Sequence, residues 1–237
     1  MRKKQKLWLR LVSNLAVIFL SLSVAFVCFA PEQATATSAE PSVHRKGFSE
    51  TGVSLMFNVY WGTDEVYQIL DVLDEYSAKS TFFIGGCWAD DNVACLKEIV
   101  ARGHELGNHG YFHKTHDKLS EKDNREEIVR CNQFIELAVG VKPTLFAPPS
   151  GAYSSKTLAV AEGLQMQTVL WTKDTIDWRD KDPSLVYTRA TKDVGGGALI
   201  LMHPMKHTVQ ALPDILKEYK RCGLSVITVS ENLRKGD

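Results

Sequence analysis

Gly103-His-Glu-Leu-Gly-Asn-His-Gly-Tyr-Phe-His113 is the stretch on which the reading of this chain turns. His109 and His113 stand four residues apart, with Asn108 before the first and Gly110 after it. Two imidazoles at i and i+4 lie on one face of a helical turn, so a helical reading brings both to one metal ion. Zinc and similar divalent ions accept neutral imidazole, and two histidines leave room for a carboxylate or water. The same spacing also describes a surface helix that carries two histidines, so the rest of the chain decides its meaning.

With 237 residues the chain suits one domain and a leader, and it can bury a full core. Residues 1–10 carry Arg2, Lys3, Lys4, Lys6 and Arg10 and no acid, and residues 11–30 are apolar or small. Ala34-Thr35-Ala36 then supplies a small-x-small site. That order predicts a signal peptide over 1–36, or, because the apolar run is about 20 residues, a membrane anchor. Either leader places the remainder outside the cytoplasm, secreted or anchored, with the membrane met only through this segment. Beyond residue 36 there are 23 basic and 27 acidic residues, a balance that does not suggest a nucleic-acid partner. No feature predicts a protein partner. Cys87, Cys95, Cys131 and Cys222 follow the leader. Export permits disulfides, and Cys87 and Cys95 are close enough to pair; four buried thiols is the competing reading.

Residues 37–50 read as a polar linker to a domain over 51–237. Within that domain extended apolar runs alternate with helical periodicity. Strands are predicted near 53–57, 80–84, 104–106, 144–146, 166–171, 198–202 and 224–229. Helices are predicted near 64–77, 91–102, 121–138, 154–162, 183–193 and 208–221. Val66, Ile69, Leu70 and Leu73 show the helical spacing most clearly, and Pro183 stands at a first helical position. Such alternation predicts a parallel α/β domain. No Gly-rich phosphate loop follows the first strand, which weakens a nucleotide-binding open sheet. The chemically unusual residues gather just after strands: Asn58, the His109/His113 pair, Pro148-Pro149-Ser150-Gly151, Asp174, Asp177-Trp178 and His203. In parallel α/β folds sites form at the carboxyl ends of strands.

These residues, in this order, resemble the polysaccharide deacetylases of NodB-homology type (carbohydrate esterase family four). His109-Gly-Tyr-Phe-His113, Ala147-Pro-Pro-Ser150, Asp174-Thr-Ile-Asp177-Trp178 and Leu201-Met-His203 stand where the family's second to fifth motifs stand. The resemblance covers about 51–234 and implies a distorted (β/α)7-like barrel. It implies a divalent ion, zinc in expectation, on His109 and His113, and His203 as proton donor to the leaving amine. Asp177, or less readily Asp174, would orient His203; loop capping is the ordinary role for both. Asn58 is the remaining catalytic candidate, and Trp61, Tyr111, Pro149, Ser150, Trp178 and Leu201 are the substrate-binding candidates. Tyr60 and Trp88 are further aromatic platforms for sugar rings, unless they pack in the core.

The first motif departs from the family. Asn58 stands where a general-base Asp is usual, Val59 where an Asp metal ligand is usual, and Ala147 where an Arg braces the base. Asn cannot act as a base at working pH but still forms hydrogen bonds, and Val cannot ligate. Zinc would therefore be weakly held. Asp64 and Glu65 could supply a carboxylate, but opening a helix is the simpler expectation. His116 could be a third ligand, but a solvent-facing loop position is the simpler one. The resemblance implies metal-dependent N-deacetylation of an N-acetylated cell-wall polysaccharide, peptidoglycan or chitin-like. A catalytically inactive glycan-binding protein on the same scaffold is the alternative.

Overall fold

The computed structural model describes residues 42–235. The reading of 1–36 as leader lies outside the described residues. The first strand of the sequence reading runs longer than predicted, as β2, Gly52–Val59, and every residue in it is buried. It pairs in parallel with β3 (Thr81–Ile84) on one side and β8 (Leu199–Met202) on the other. From β3 the sheet continues through β4 (Glu105–Asn108), β5 (Leu145–Phe146) and β6 (Gln167–Val169) to β1 (Val43–His44). Beyond β8 lies β7 (Lys173–Asp174), and β9 (Ser225–Val226) pairs with the start of β2. Every pairing is parallel, and the sheet curls into the expected distorted (β/α)7-like barrel.

The pleat of β2 sorts its side chains to two faces. Val53, Leu55, Phe57 and Val59 join the large apolar layer under the helices. Met56 points the other way, into an inner cluster with Phe83, Leu145, Ala147, Val169 and Leu199. Phe57 stacks on Phe82 with ring centroids 5.1 Å apart, a contact whose loss to Ala costs about 3–5 kcal/mol.

Helices fill the outer layer. In α1, Thr63–Glu75, the buried residues are Val66, Ile69, Leu70 and Leu73, as the periodicity predicts. The helix predicted near 91–102 is two helices, α2 (Gly86–Asp91) and α3 (Val93–Ala101), broken at Asn92. Asn92 donates to the Trp88 carbonyl at 2.7 Å and accepts from Thr63 at 2.8 Å, which ties the break to the start of α1. The α4 helix, Glu121–Val139, is capped by Ser120 and ends at left-handed Gly140. The α5 helix, Ser155–Gly163, opens with a capping box at Ser154. Asp182 caps α6, Pro183–Thr191, and α7 runs over Lys206–Arg221. The final strand is short, because a capping box at Thr228 starts α8, Val229–Asn232, where extended chain was predicted.

Residues 43–50, expected in a linker, are part of the domain. Val43 and His44 pair with β6, the Gly47 N–H bonds the Gly197 carbonyl, and the Phe48 N–H bonds the Asn232 carbonyl. The four cysteines among the described residues are free thiols, so Cys87 and Cys95 do not pair. Cys222 is exposed rather than buried. No helix among the described residues is long and apolar enough to cross a membrane.

Candidate active site

The carboxyl ends of the strands surround a cavity of about 320 Å³ lined by Asn58, Trp61, His109, His113, Ser150, Trp171, Asp174, Trp178, Leu201 and His203. Two histidine systems reach it. The first comes from the loop after β4, and it is not helical. Gly110 (φ +74°) and His113 (φ +54°) take left-handed conformations that fold the loop back on itself. The His109 and His113 rings stand 5.0 Å apart as a result. Buried polar groups hold this loop from behind. Asn108 Oδ1 accepts from the Gly110 N–H at 2.7 Å, and Glu127 Oε2 accepts from the Tyr111 and Phe112 N–H groups at 3.0 and 2.8 Å. Lys114 pairs with the other Glu127 oxygen at 3.2 Å.

His109 is buried, and its Nδ1 lies 2.7 Å from the Ala147 carbonyl oxygen. A carbonyl only accepts, so Nδ1 carries the hydrogen and Nε2 keeps its lone pair. Burial, and then His113, hold the His109 pKa well below its usual range. Burial and the nearby His203 lower that of His113 as well. Two neutral imidazoles that meet in a cavity suit a divalent ion. The third family ligand has no counterpart: Val59 lies in the apolar layer under the helices. Among the described residues no group of three or more His, Cys, Asp or Glu side chains is arranged to hold a metal ion.

The second system is Asp177 and His203. Asp177 is fully buried. Its Oδ1 accepts from His203 Nδ1 at 2.7 Å, and its Oδ2 from the His203 backbone N–H at 2.7 Å and Thr208 Oγ1 at 2.8 Å. His207 Nε2 donates to the Asp177 backbone carbonyl at 2.6 Å. Two of the Asp177 contacts thus fix His203, whose Nε2 is left free of Asp177, while Thr208 and His207 hold Asp177 in place. Asp174 Oδ1 caps the Ile176 N–H at 2.7 Å, so its capping role coexists with a place in the cavity wall.

Trp61 stacks on His203 with centroids 5.8 Å apart and planes 7° from parallel. It gets there through Gly62 (φ +77°), where a side chain would collide with the Pro204 carbonyl. Tyr60 packs on His113 at 4.8 Å. Two substrate-binding expectations are corrected. Tyr111 is buried outside the cavity, packed against Gly86 with the Arg130 guanidinium 4.0 Å over its ring. Pro149 is also buried and does not line the cavity; its turn, Pro149–Gly151, presents Ser150 instead. Trp88 is in the core, with Nε1 donating to Thr63 at 3.0 Å. Asp64 and Glu65 occupy the first turn of α1 and line no part of the cavity.

His116 does not face solvent. It is fully buried, with Nδ1 2.7 Å from Asn124 Oδ1, behind Gly110 rather than in the cavity. Sequence reasoning missed Trp171, Thr208 and His207. Trp171 follows β6 and obeys the strand-end rule. His207 repeats the four-residue histidine spacing with His203, but this pair shares a carboxylate-bearing residue instead of facing an ion.

Comparison with known proteins gives a consistent result. The polysaccharide deacetylase family description matches residues 45–169. The chain is 34% identical over 181 residues to a peptidoglycan-N-acetylglucosamine deacetylase of Bacillus cereus, covering 73% of this chain and 84% of that one. It is 40% identical over 179 residues to the uncharacterised protein YlxY of Bacillus subtilis, covering 76% of this chain but only 56% of the relative. A solved CE4-family pseudoenzyme from Bacillus anthracis superposes with a TM-score of 0.80 at 35% identity, covering 82% of this chain and 69% of that one. The chain belongs to the polysaccharide deacetylase family.

Proposed function

We propose that the protein acts on an N-acetylated cell-wall glycan, peptidoglycan or chitin-like, by N-deacetylation. The observation that carries this reading is the Asp177-held His203 sharing one cavity with His109 and His113. Trp61, Trp171 and Trp178 line the same cavity and offer flat faces to sugar rings. The likeness to the Bacillus cereus deacetylase supports the substrate class. The leader over 1–36 fits a protein that meets this glycan outside the cytoplasm.

In this reading His109 Nε2 and His113 hold a divalent ion, zinc by the softness of imidazole, weakly because positions 58 and 59 bring no carboxylate. When bound, the ion supplies Lewis acidity toward the acetyl carbonyl and an acidified water. His203 delivers a proton to the departing amine nitrogen, while Asp177 fixes its ring. Among the described residues Asp174 is the one carboxylate lining the cavity, and one of its oxygens is committed to the Ile176 N–H.

A second reading has its own support. Asn58, Val59 and Ala147 together remove the usual base, metal ligand and brace, which fits a protein that holds the glycan without cleaving it. The likeness to a pseudoenzyme favours the same view. Acetate release from chito-oligosaccharides and peptidoglycan by the full-length chain, with zinc supplied, separates the two. Release that is lost in His203→Ala supports the deacetylase. Glycan binding without release supports the holding protein. His109→Ala should abolish bound zinc in either case; unchanged metal content would remove the ion from the site.

A further inference from the structure

We propose that Asn58 recognises the uncharged acetamido group itself, its Nδ2–H donating to the acetyl carbonyl oxygen. This rests on the reading of the cavity as a glycan site. Asn58 is 4% exposed and lies in the cavity wall between the strand ends. Its Oδ1 is sealed from solvent and has no hydrogen-bond partner. The Nδ2 end is therefore the one that meets the cavity, and no protein acceptor among the described residues uses it. Turning the amide over would bury two N–H hydrogens without partners in place of one carbonyl oxygen, the less tolerated arrangement.

Two other polar groups in the cavity wall offer the opposite chemistry. His109 presents a lone pair, because its hydrogen is committed to Ala147. Asp174 presents carboxylate oxygens. An acetyl carbonyl needs a donor, and Asn58 holds one well below the exposed rim formed by Trp61 and Trp178. A carboxylate at this position would repel that carbonyl and attract an ammonium group. With Asn the preference is reversed: the acetylated unit gains a hydrogen bond, and the free amine meets an N–H with nothing to accept it. The neutral amide thus makes the cavity a reader of acetylated units, whether or not it cleaves them.

Calorimetric titration of the full-length protein with chitotetraose and with its fully deacetylated counterpart tests this. The wild-type chain should bind the acetylated oligomer at least about tenfold more tightly. Asn58→Leu, with the same branching but no polar atom, should bring the two affinities to within about twofold by weakening only the acetylated ligand. Asn58→Asp should favour the deacetylated oligomer. Asn58→Leu with an unchanged melting temperature and the wild-type preference would overturn the proposal, as would equal wild-type affinity for both oligomers. Failure of the wild-type chain to bind either one would overturn the glycan reading and this proposal with it.

Discussion

Positions 58 and 59 are neighbours in sequence but belong to different environments, because consecutive side chains of β2 take opposite faces. Asn58 meets the cavity, and Val59 is fully buried in the layer beneath the helices. The two family carboxylates are therefore not equally recoverable. Asn58→Asp should fold with a melting temperature close to that of the wild type and, although it weakens binding of the acetylated unit, raise acetate release at saturating glycan at least about 100-fold, since it returns a base to the cavity. Val59→Asp should cost roughly 3 kcal/mol or more, because a carboxylate in that layer has no partner. Denaturant midpoints of the two variants check this; equal tolerance would mean that Val59 can turn toward the site. Asn58 was legible in the sequence as a non-base with hydrogen-bonding capacity. The face taken by Val59 was not, because the sequence reading ends this strand at Phe57, two residues short of where it runs.

The loop over 109–113 carries the site at the scale of the element. Its histidines read as a helical pair, and the pairing survives although the helix does not. Two left-handed residues do the work of a helical turn, and sequence spacing cannot tell the two apart. What holds the loop comes from α4, 15 to 24 residues away, where Glu127 and Asn132 serve Asn108 and the loop amides. Gly110 is required twice: by its φ of +74° and by His116 Nε2, 3.1 Å from where a Cβ would stand. Gly110→Ser should therefore lower stability by about 1–2 kcal/mol. A melting temperature equal to or above that of the wild type would show that His116 yields. The burial of His116 was not legible, because its partner Asn124 lies on another element.

Across the whole molecule, alternation of strand and helix was enough to predict a parallel α/β domain with its chemistry at the strand ends, and the family resemblance supplied the barrel. The two-residue strands β1 and β7 escaped, although the equally short β5 and β9 fell within predicted apolar runs, because β1 lies in the stretch read as a linker and Lys173-Asp174 carries no apolar residue to mark it. The barrel also stores histidines away from the cavity in neutral form. Burial, and then Lys79, lower the His104 pKa from 6.5 to about 4, and burial lowers that of His116. The unfolded chain takes up these protons near its ordinary pKa and the folded chain resists, so folding stability falls as pH drops below about 6.5. For His104 the loss approaches roughly 3 kcal/mol once the pH passes below 4. Urea midpoints should be lower at pH 5 than at pH 7.5; an equal or higher midpoint would contradict this.

The sheet ends at β1 on one side and β7 on the other, and side chains bridge the gap between them. Thr172, just before β7, donates to the Arg45 carbonyl at 2.6 Å and accepts from the Leu199 N–H at 3.1 Å, while Arg45 reaches the Tyr153 hydroxyl at 3.4 Å. A mechanical load drawn through the chain ahead of residue 42 therefore enters the domain at a two-residue edge strand. Such a strand peels bond by bond at low force, where the long central β2 would have to shear. The first parts to loosen would be the neighbours of Thr172, namely Trp171 and Asp174 in the cavity wall, so tension would open the site well before the core gave way.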